Sequence, residues 1–210
     1  MKKFLIGGAI LNFAAPFILI LLFFVMLSGN GGDSSPGESG SIIPSETQKE
    51  FIDAVALVAM NTYKEYGVYP SVTIAQAILE SAWGKSGLAI QANNLFGIKA
   101  DSSWTGPILE LPTIEHVNGG IIHIISKWRV YEKWEDSVLD HGKFLKENPR
   151  YEKAGVFEAA NYKEQVMAIH NAGYATDPNY TNLVCGLIES YELYKFDMGG
   201  AEDVENENNK

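Results

Sequence analysis

Between about residues 105 and 131 the chain changes period, and the change centres on one dipeptide, Asn118-Gly119. A two-residue hairpin loop needs left-handed backbone at its central positions, which Asn-Gly tolerates well. The flanking segments "ILELPTIEHV" and "GIIHIISKWRVY" are rich in the β-branched residues that suit a pleated surface. From Ser45 onward, the chain on either side of this stretch reads with helical spacing. The combination predicts an α+β fold, mostly helical, in which a helical lobe carries one β-hairpin inserted after its second or third helix.

Ser45 is a cap-type residue ahead of Phe51, Val55 and Val58 at helical spacing, and Gly67 closes that run. In "PSVTIAQAILESAWG", Ser71 reads as the N-cap and Gly84 as the stop. Ile74, Ala75, Ile78, Leu79 and Ala82 form the apolar stripe of this second helix, with Thr73, Gln76 and Glu80 on the other side. A loop carrying Asn93-Asn94 is expected next. Helical patterns return after the hairpin in "SVLDHGKFLKE", "NYKEQVMAIHNAG" and "NYTNLVCGLIESYELYKF".

The ends differ from the middle. Lys2 and Lys3 precede an almost unbroken apolar run from Phe4 to Leu27, long enough to span a bilayer and long for a secretory signal. Residues 1–27 are therefore expected to be a membrane anchor, an uncleaved signal anchor in preference to a cleaved signal peptide. The basic amino end would lie in the cytoplasm and the rest outside; cleavage would instead give a secreted protein. Residues 28–45 form a Gly/Ser-rich linker with a typical reach of about 20–25 Å. The folded domain is expected over 46–198, and 199–210 as an acidic disordered tail. With 16 Lys+Arg against 26 Asp+Glu and no basic stripe, nucleic-acid binding is not expected. The lone Cys185 excludes an internal disulfide and reads as a small buried hydrophobe.

The four histidines (116, 123, 141 and 170) show no metal-ligand spacing; His116 and His123 read as solvated strand residues. No GxSxG, GxGxxG or phosphate-binding loop occurs in a fitting context. Carboxylates, amides and aromatics remain, which is the toolkit for sugar polymers. By periodicity alone Glu80 is a solvated helix residue. Two features argue otherwise. It lies in the last turn, where the negative end of the helix dipole disfavours a charged carboxylate, and Trp83 follows to shield it from water. Both raise its pKa, as a glycosidic general acid requires.

The stretch "AQAILESAWGKSGLAIQANNLFGIKA" resembles the bacterial peptidoglycan endo-β-N-acetylglucosaminidase family of FlgJ/autolysin type, within the lysozyme-like superfamily. The resemblance continues through Trp104, Gly106, Thr113, Glu115, "WRVYEKWEDSVLDHGKFL" and "AGYATDPNY", and covers about residues 46–197. It implies a lysozyme-like helical lobe, no metal or organic cofactor, and peptidoglycan glycan strands as partner. It also implies that Glu80 is the general acid and Glu115 a second carboxylate on the hairpin, with Glu110 as a rival. Tyr174 matches the family's active-site tyrosine. Trp83, Asn94, Phe96 and Trp104 would line the groove, although Phe96 also reads as core and Asn93-Asn94 as loop-shaping. Asp177-Pro178 reads as a turn. The second strand is more apolar than a solvated lobe needs.

The implied activity is hydrolysis of the β-1,4 bond after N-acetylglucosamine. A muramidase or lytic transglycosylase of the same superfamily, or a non-catalytic wall-binding module, are the alternatives. On the surface reading, Glu80→Gln is expected to change stability by no more than about 1 kcal/mol.

Overall fold

The computed structural model describes residues 42–117 and 120–198. The elements are α1 (Glu46–Tyr66), α2 (Pro70–Ser81), α3 (Gly87–Ala92), β1 (Ile108–Val117), β2 (Gly120–Arg129), α4 (Trp134–Glu147), α5 (Pro149–Lys153), α6 (Tyr162–Asn171) and α7 (Tyr180–Ser190). The hairpin follows the third helix. The expected anchor, most of the linker and the acidic tail lie outside the described residues. Among those described, no helix is long and apolar enough to cross a membrane.

α1 starts as its sequence predicts. Ser45 and Gln48 form a reciprocal capping box, and Gly67 ends the helix with φ 70°. Its buried face, Phe51, Ile52, Val55, Ala56, Val58, Ala59 and Thr62, packs on α2 and α4.

α2 departs from the amphipathic reading. Residues 70–78 and Ser81 are all buried, Thr73 and Gln76 included, because α1, α6 and α7 pack around it. There is no solvated face opposite the stripe. Ser71 is not the N-cap. Pro70 opens the helix, where its missing N–H costs nothing. The Ser71 N–H and hydroxyl instead donate to the Asp197 carboxylate, at 2.8 and 2.7 Å.

The helix also ends before Gly84. Ala82, Trp83 and Gly84 are left-handed in succession, at φ 50°, 62° and 73°. The Ser81 hydroxyl holds this reversal by accepting from the Gly84 N–H at 2.7 Å and donating to the Ala77 carbonyl at 2.6 Å. A Cβ on Gly84 would lie 2.6 Å from the Trp134 ring and 3.2 Å from Phe51. Gly84→Ala is therefore expected to cost about 2–4 kcal/mol, from the left-handed backbone plus the clash, measurable as a lower urea midpoint.

The expected loop after Gly84 contains a short helix, α3, capped by Ser86, whose hydroxyl accepts from the Ala89 N–H at 3.1 Å. Six residues are too few to show a period. α5 went unread for the same reason, although Pro149 marks its start.

In the hairpin, Val117 pairs with Gly120, the register of a two-residue connection. Side chains of residues 113–123, including His116 and His123, lie outside the described residues. The apolar second strand does show at Ile125, which is 66% exposed. The hairpin is tied to the helical lobe at its root, where Arg129 N–H donates to Ile98 O at 3.1 Å and Ala100 N–H to Lys127 O at 2.9 Å.

The Asp177 carboxylate accepts from the Asn179 N–H at 2.8 Å and so shapes a turn into α7, as its sequence suggests. α7 stops at Ser190, short of the periodic run, before the left-handed Glu192. Cys185 is half-buried at the edge of the core, not buried within it.

Candidate active site

Glu80 stands in the last turn of α2, immediately before the left-handed reversal. The residue keeps part of its surface, yet its Oε1 is buried and has no hydrogen-bond partner. Removing a carboxylate from water without compensating donors disfavours its charged form. Burial accordingly raises the Glu80 pKa from 4.5 to about 8. The solvated-face reading and the small stability effect that followed from it both assumed hydration that the buried Oε1 lacks.

Around Glu80 lies a group of buried rings from the carboxyl-terminal half of the chain. Tyr174 has its ring centroid 5.8 Å from Tyr180, 6.4 Å from Tyr151 and 6.1 Å, edge-on, from His141. Its hydroxyl is buried without a partner. Burial first, then the neighbouring Tyr180 and Glu80, hold its phenol pKa well above the usual tyrosine range. Tyr180 is shifted the same way, by burial and then by Glu80. Its hydroxyl accepts from Gln76 Nε2 at 2.6 Å. Burial pushes Tyr151 up to about 12 even though Arg150 donates to its hydroxyl at 2.5 Å. His141 is driven down to about 3 by burial, so it is a neutral ring stacked on Phe96 at 3.9 Å. The site therefore places a protonatable carboxyl among neutral phenols. That arrangement can give a proton at neutral pH and offers O–H donors to the charge left behind.

Two of the predicted groove residues are elsewhere. Asn94 is 1% exposed and cannot present its amide to a sugar. It brackets the loop instead, donating through Nδ2 to Ile98 O and Arg129 O, both at 2.9 Å, while Oδ1 accepts from Ile98 N–H at 3.0 Å. Phe96 is fully buried core beneath His141. Of the alternatives open in the sequence, loop-shaping and core are the ones realised. Trp83 is half-buried and set edge-on to Phe51 and Tyr191, at 5.9 and 5.1 Å, which anchors the reversal after Glu80. Trp104 is half-buried at the hairpin root. The Arg129 guanidinium lies 4.8 Å over its ring, and its Nε1 donates to Pro107 O at 2.9 Å.

Glu115 lies on β1 opposite Ile122, and its side chain lies outside the described residues. Glu110 is exposed and pairs with Lys127 at 3.5 Å on the facing strand. Arg129, itself buried, bonds both Asp140 oxygens at 3.0 and 2.8 Å, and Tyr131 donates to Asp140 at 2.6 Å. This pins the hairpin root to α4. Among the described residues no three His, Cys, Asp or Glu side chains gather as metal ligands.

Gln76, Tyr180, Tyr151 and His141 were not singled out from the sequence. Gln76 carried one usable signal, its position one turn before Glu80 on the same helix.

Comparison with known proteins points one way. The family described as mannosyl-glycoprotein endo-beta-N-acetylglucosaminidase matches residues 56–193. The exo-glucosaminidase LytG of Bacillus subtilis is 40% identical over 155 residues, 72% of this chain and 54% of that protein. The peptidoglycan hydrolase FlgJ of Salmonella typhimurium is 37% identical, over 67% of this chain and 45% of that protein. This chain thus spans about half the length of these relatives. The crystal structure of the catalytic domain of the autolysin Auto from Listeria monocytogenes superposes with a TM-score of 0.66 at 34% identity, over 74% of this chain and 90% of that one.

Proposed function

We propose, from the premise that this chain belongs to the glucosaminidase family, that it hydrolyses bacterial cell-wall glycan at the β-1,4 bond after N-acetylglucosamine. The fold is the mostly helical, lysozyme-like one with a two-stranded sheet. The observation that carries the reading is the Glu80 carboxyl, whose burial keeps it protonated at neutral pH.

Glu80 gives its proton to the glycosidic oxygen as the anomeric C–O bond breaks and the bonding pair passes to that oxygen. Water then adds to the anomeric carbon and yields its proton to a base, and Glu80 recovers a proton from solvent. Glu115 is the residue we assign as that base, on its position in β1 of the hairpin. Tyr174 stands beside Glu80 as a donor to developing charge. No metal or organic cofactor enters this scheme.

The apolar run from Phe4 to Leu27 supports a further part of the proposal, that the domain works outside the cell on a short membrane tether. Recovery of the full chain in the membrane fraction, and of a chain lacking residues 1–27 in the soluble one, is the expected result.

The direct test incubates the fragment Ser45–Met198 with purified peptidoglycan, reduces the products with borohydride and weighs them. Reduced N-acetylglucosamine ends are expected. Reduced muramic ends would move the cut to the other bond, anhydro ends would indicate a transglycosylase, and no release by folded protein would favour a binding module. A Glu115→Gln variant alongside reads whether the second carboxylate is used: full activity would remove it from the scheme. Because the acid form of Glu80 is the active one, kcat/KM is expected to fall with rising pH through an alkaline limb near pH 8.

A further inference from the structure

Gln76 and Tyr180 take no part in the proton transfer, yet they flank the group that performs it. Gln76 precedes Glu80 by four residues on α2, the spacing that sets two side chains on one face a turn apart. Gln76 and Tyr180 are both fully buried, and the Gln76 Nε2 donates to the Tyr180 hydroxyl at 2.6 Å. Gln76 Oε1 and Glu80 Oε1 are each buried without a partner.

The hydrogen inventory of the pair decides what it can do. A glutamine amide brings two N–H groups and an acceptor oxygen, and a phenol brings one O–H and an acceptor oxygen. With the amide as found, Tyr180 accepts, and its own hydrogen and the second amide N–H are left over. With the amide turned over, Tyr180 donates to Oε1 and both amide N–H groups are left over. Either way the pair keeps a spare donor hydrogen, with Gln76 one helical turn from Glu80 and Tyr180 within its electrostatic reach. Neutral Glu80 does not engage it through Oε1.

We propose that Gln76 and Tyr180 act as one positioning unit that holds a donor in reserve for the carboxylate Glu80 becomes when it protonates the glycosidic oxygen. The inference rests on the reading of Glu80 as the acid. The unit transfers no atom; it makes a hydrogen bond that strengthens as negative charge grows on Glu80. Such a bond favours the transition state over the bound substrate, so its weight falls on kcat and little on KM. The other groups facing this cluster are Tyr174 from the segment before α7, Tyr151 and Arg150 from α5, His141 from α4, and His170 from α6, whose ring centroid lies 5.5 Å from that of Tyr180. Tyr174 supplies a second hydroxyl, so loss of the unit weakens catalysis without abolishing it.

The test uses the full chain in detergent on soluble, uncrosslinked glycan strands, with Tyr180→Phe, Gln76→Met and the double variant. Each single change is expected to lower kcat about 10- to 100-fold, the range of one hydrogen bond to a charged group, with KM within about 3-fold. The alkaline limb is expected to move up by about half a pH unit or more, because the ionised form has lost a donor. The double variant is expected to be no worse than the poorer single one, as for residues acting as a unit.

A folded variant whose limb stays where the parent's is, or a double variant whose losses multiply, overturns the proposal. Should Tyr180→Phe fail to fold, Gln76→Met carries the same readout. A parent without activity, or a fully active Glu80→Gln, sinks the general-acid reading itself. An active, Glu80-dependent parent with unmoved limbs in the variants sinks only this inference.

Discussion

Glu80→Gln is expected to lower turnover by on the order of 10³-fold while making the folded protein more stable at neutral pH. The first effect is the loss of the only proton the scheme supplies to the leaving oxygen, within the range that general acids contribute. The second follows from linkage. Folding raises the Glu80 pKa from 4.5 to about 8, so between those values the folded state holds a proton that the unfolded chain has released. This contribution to stability is complete below about pH 4.5, is lost as pH rises through the window, and levels off above about pH 8. By pH 7 the accumulated loss is at most about 3.5 kcal/mol, at about 1.4 kcal/mol per pKa unit.

Glutamine has no proton to release, so its stability should stay flat across the same range, less the cost of burying the extra amide hydrogens. Urea midpoints of parent and variant should nearly coincide at pH 4 and separate at pH 7.5, with the variant higher. Parallel curves would show that the carboxyl is hydrated after all, and an active variant would remove Glu80 from the chemistry.

The second large effect is structural. Asn94→Ala strips three hydrogen bonds at once and leaves the Ile98 N–H, the Ile98 carbonyl and the Arg129 carbonyl without that partner in a buried site. A cost of about 3–5 kcal/mol is expected, toward the upper end for single substitutions. Asn94→Asp separates hydrogen bonding from size. It keeps the volume but turns an acceptor toward two carbonyl oxygens, so it should be at least as damaging as alanine. If Asp is tolerated and Ala is not, the site is about packing and the bracket assigned to Asn94 is wrong.

The architecture was largely legible because its signals are local and repetitive. The helical spacing of Phe51, Val55 and Val58 and the turn chemistry of Asn118-Gly119 each specify an element without help from elsewhere in the chain. What was missed depends on long-range packing. α2 carries its apolar stripe, but three other helices cover the rest of it, and no window of sequence around Gln76 or Glu80 records that. Ser71 looks like a cap in its own neighbourhood and serves Asp197, 126 residues away. Asn94 looked like a sugar-binding amide because its motif matched; its burial and its bond to Arg129 appear only once the hairpin root is in place. Glu80 was singled out through the resemblance, whereas the buried phenols that surround it come from segments distant in sequence.

The reach from Ser71 to Asp197 also bears on when the candidate site is completed. A chain made amino end first completes α2 long before Tyr174, Tyr180 and Asp197 exist to enclose it. Until they arrive, Glu80 lacks the buried rings of Tyr174 and Tyr180 beside it, and with them part of the burial that raises its pKa. On the proposed function, competence is then expected only with the last stretch of the domain, and a truncated chain is expected to leave glycan intact. A chain ending after Gly173 should accordingly release nothing from peptidoglycan, even with Glu80 and the whole hairpin present.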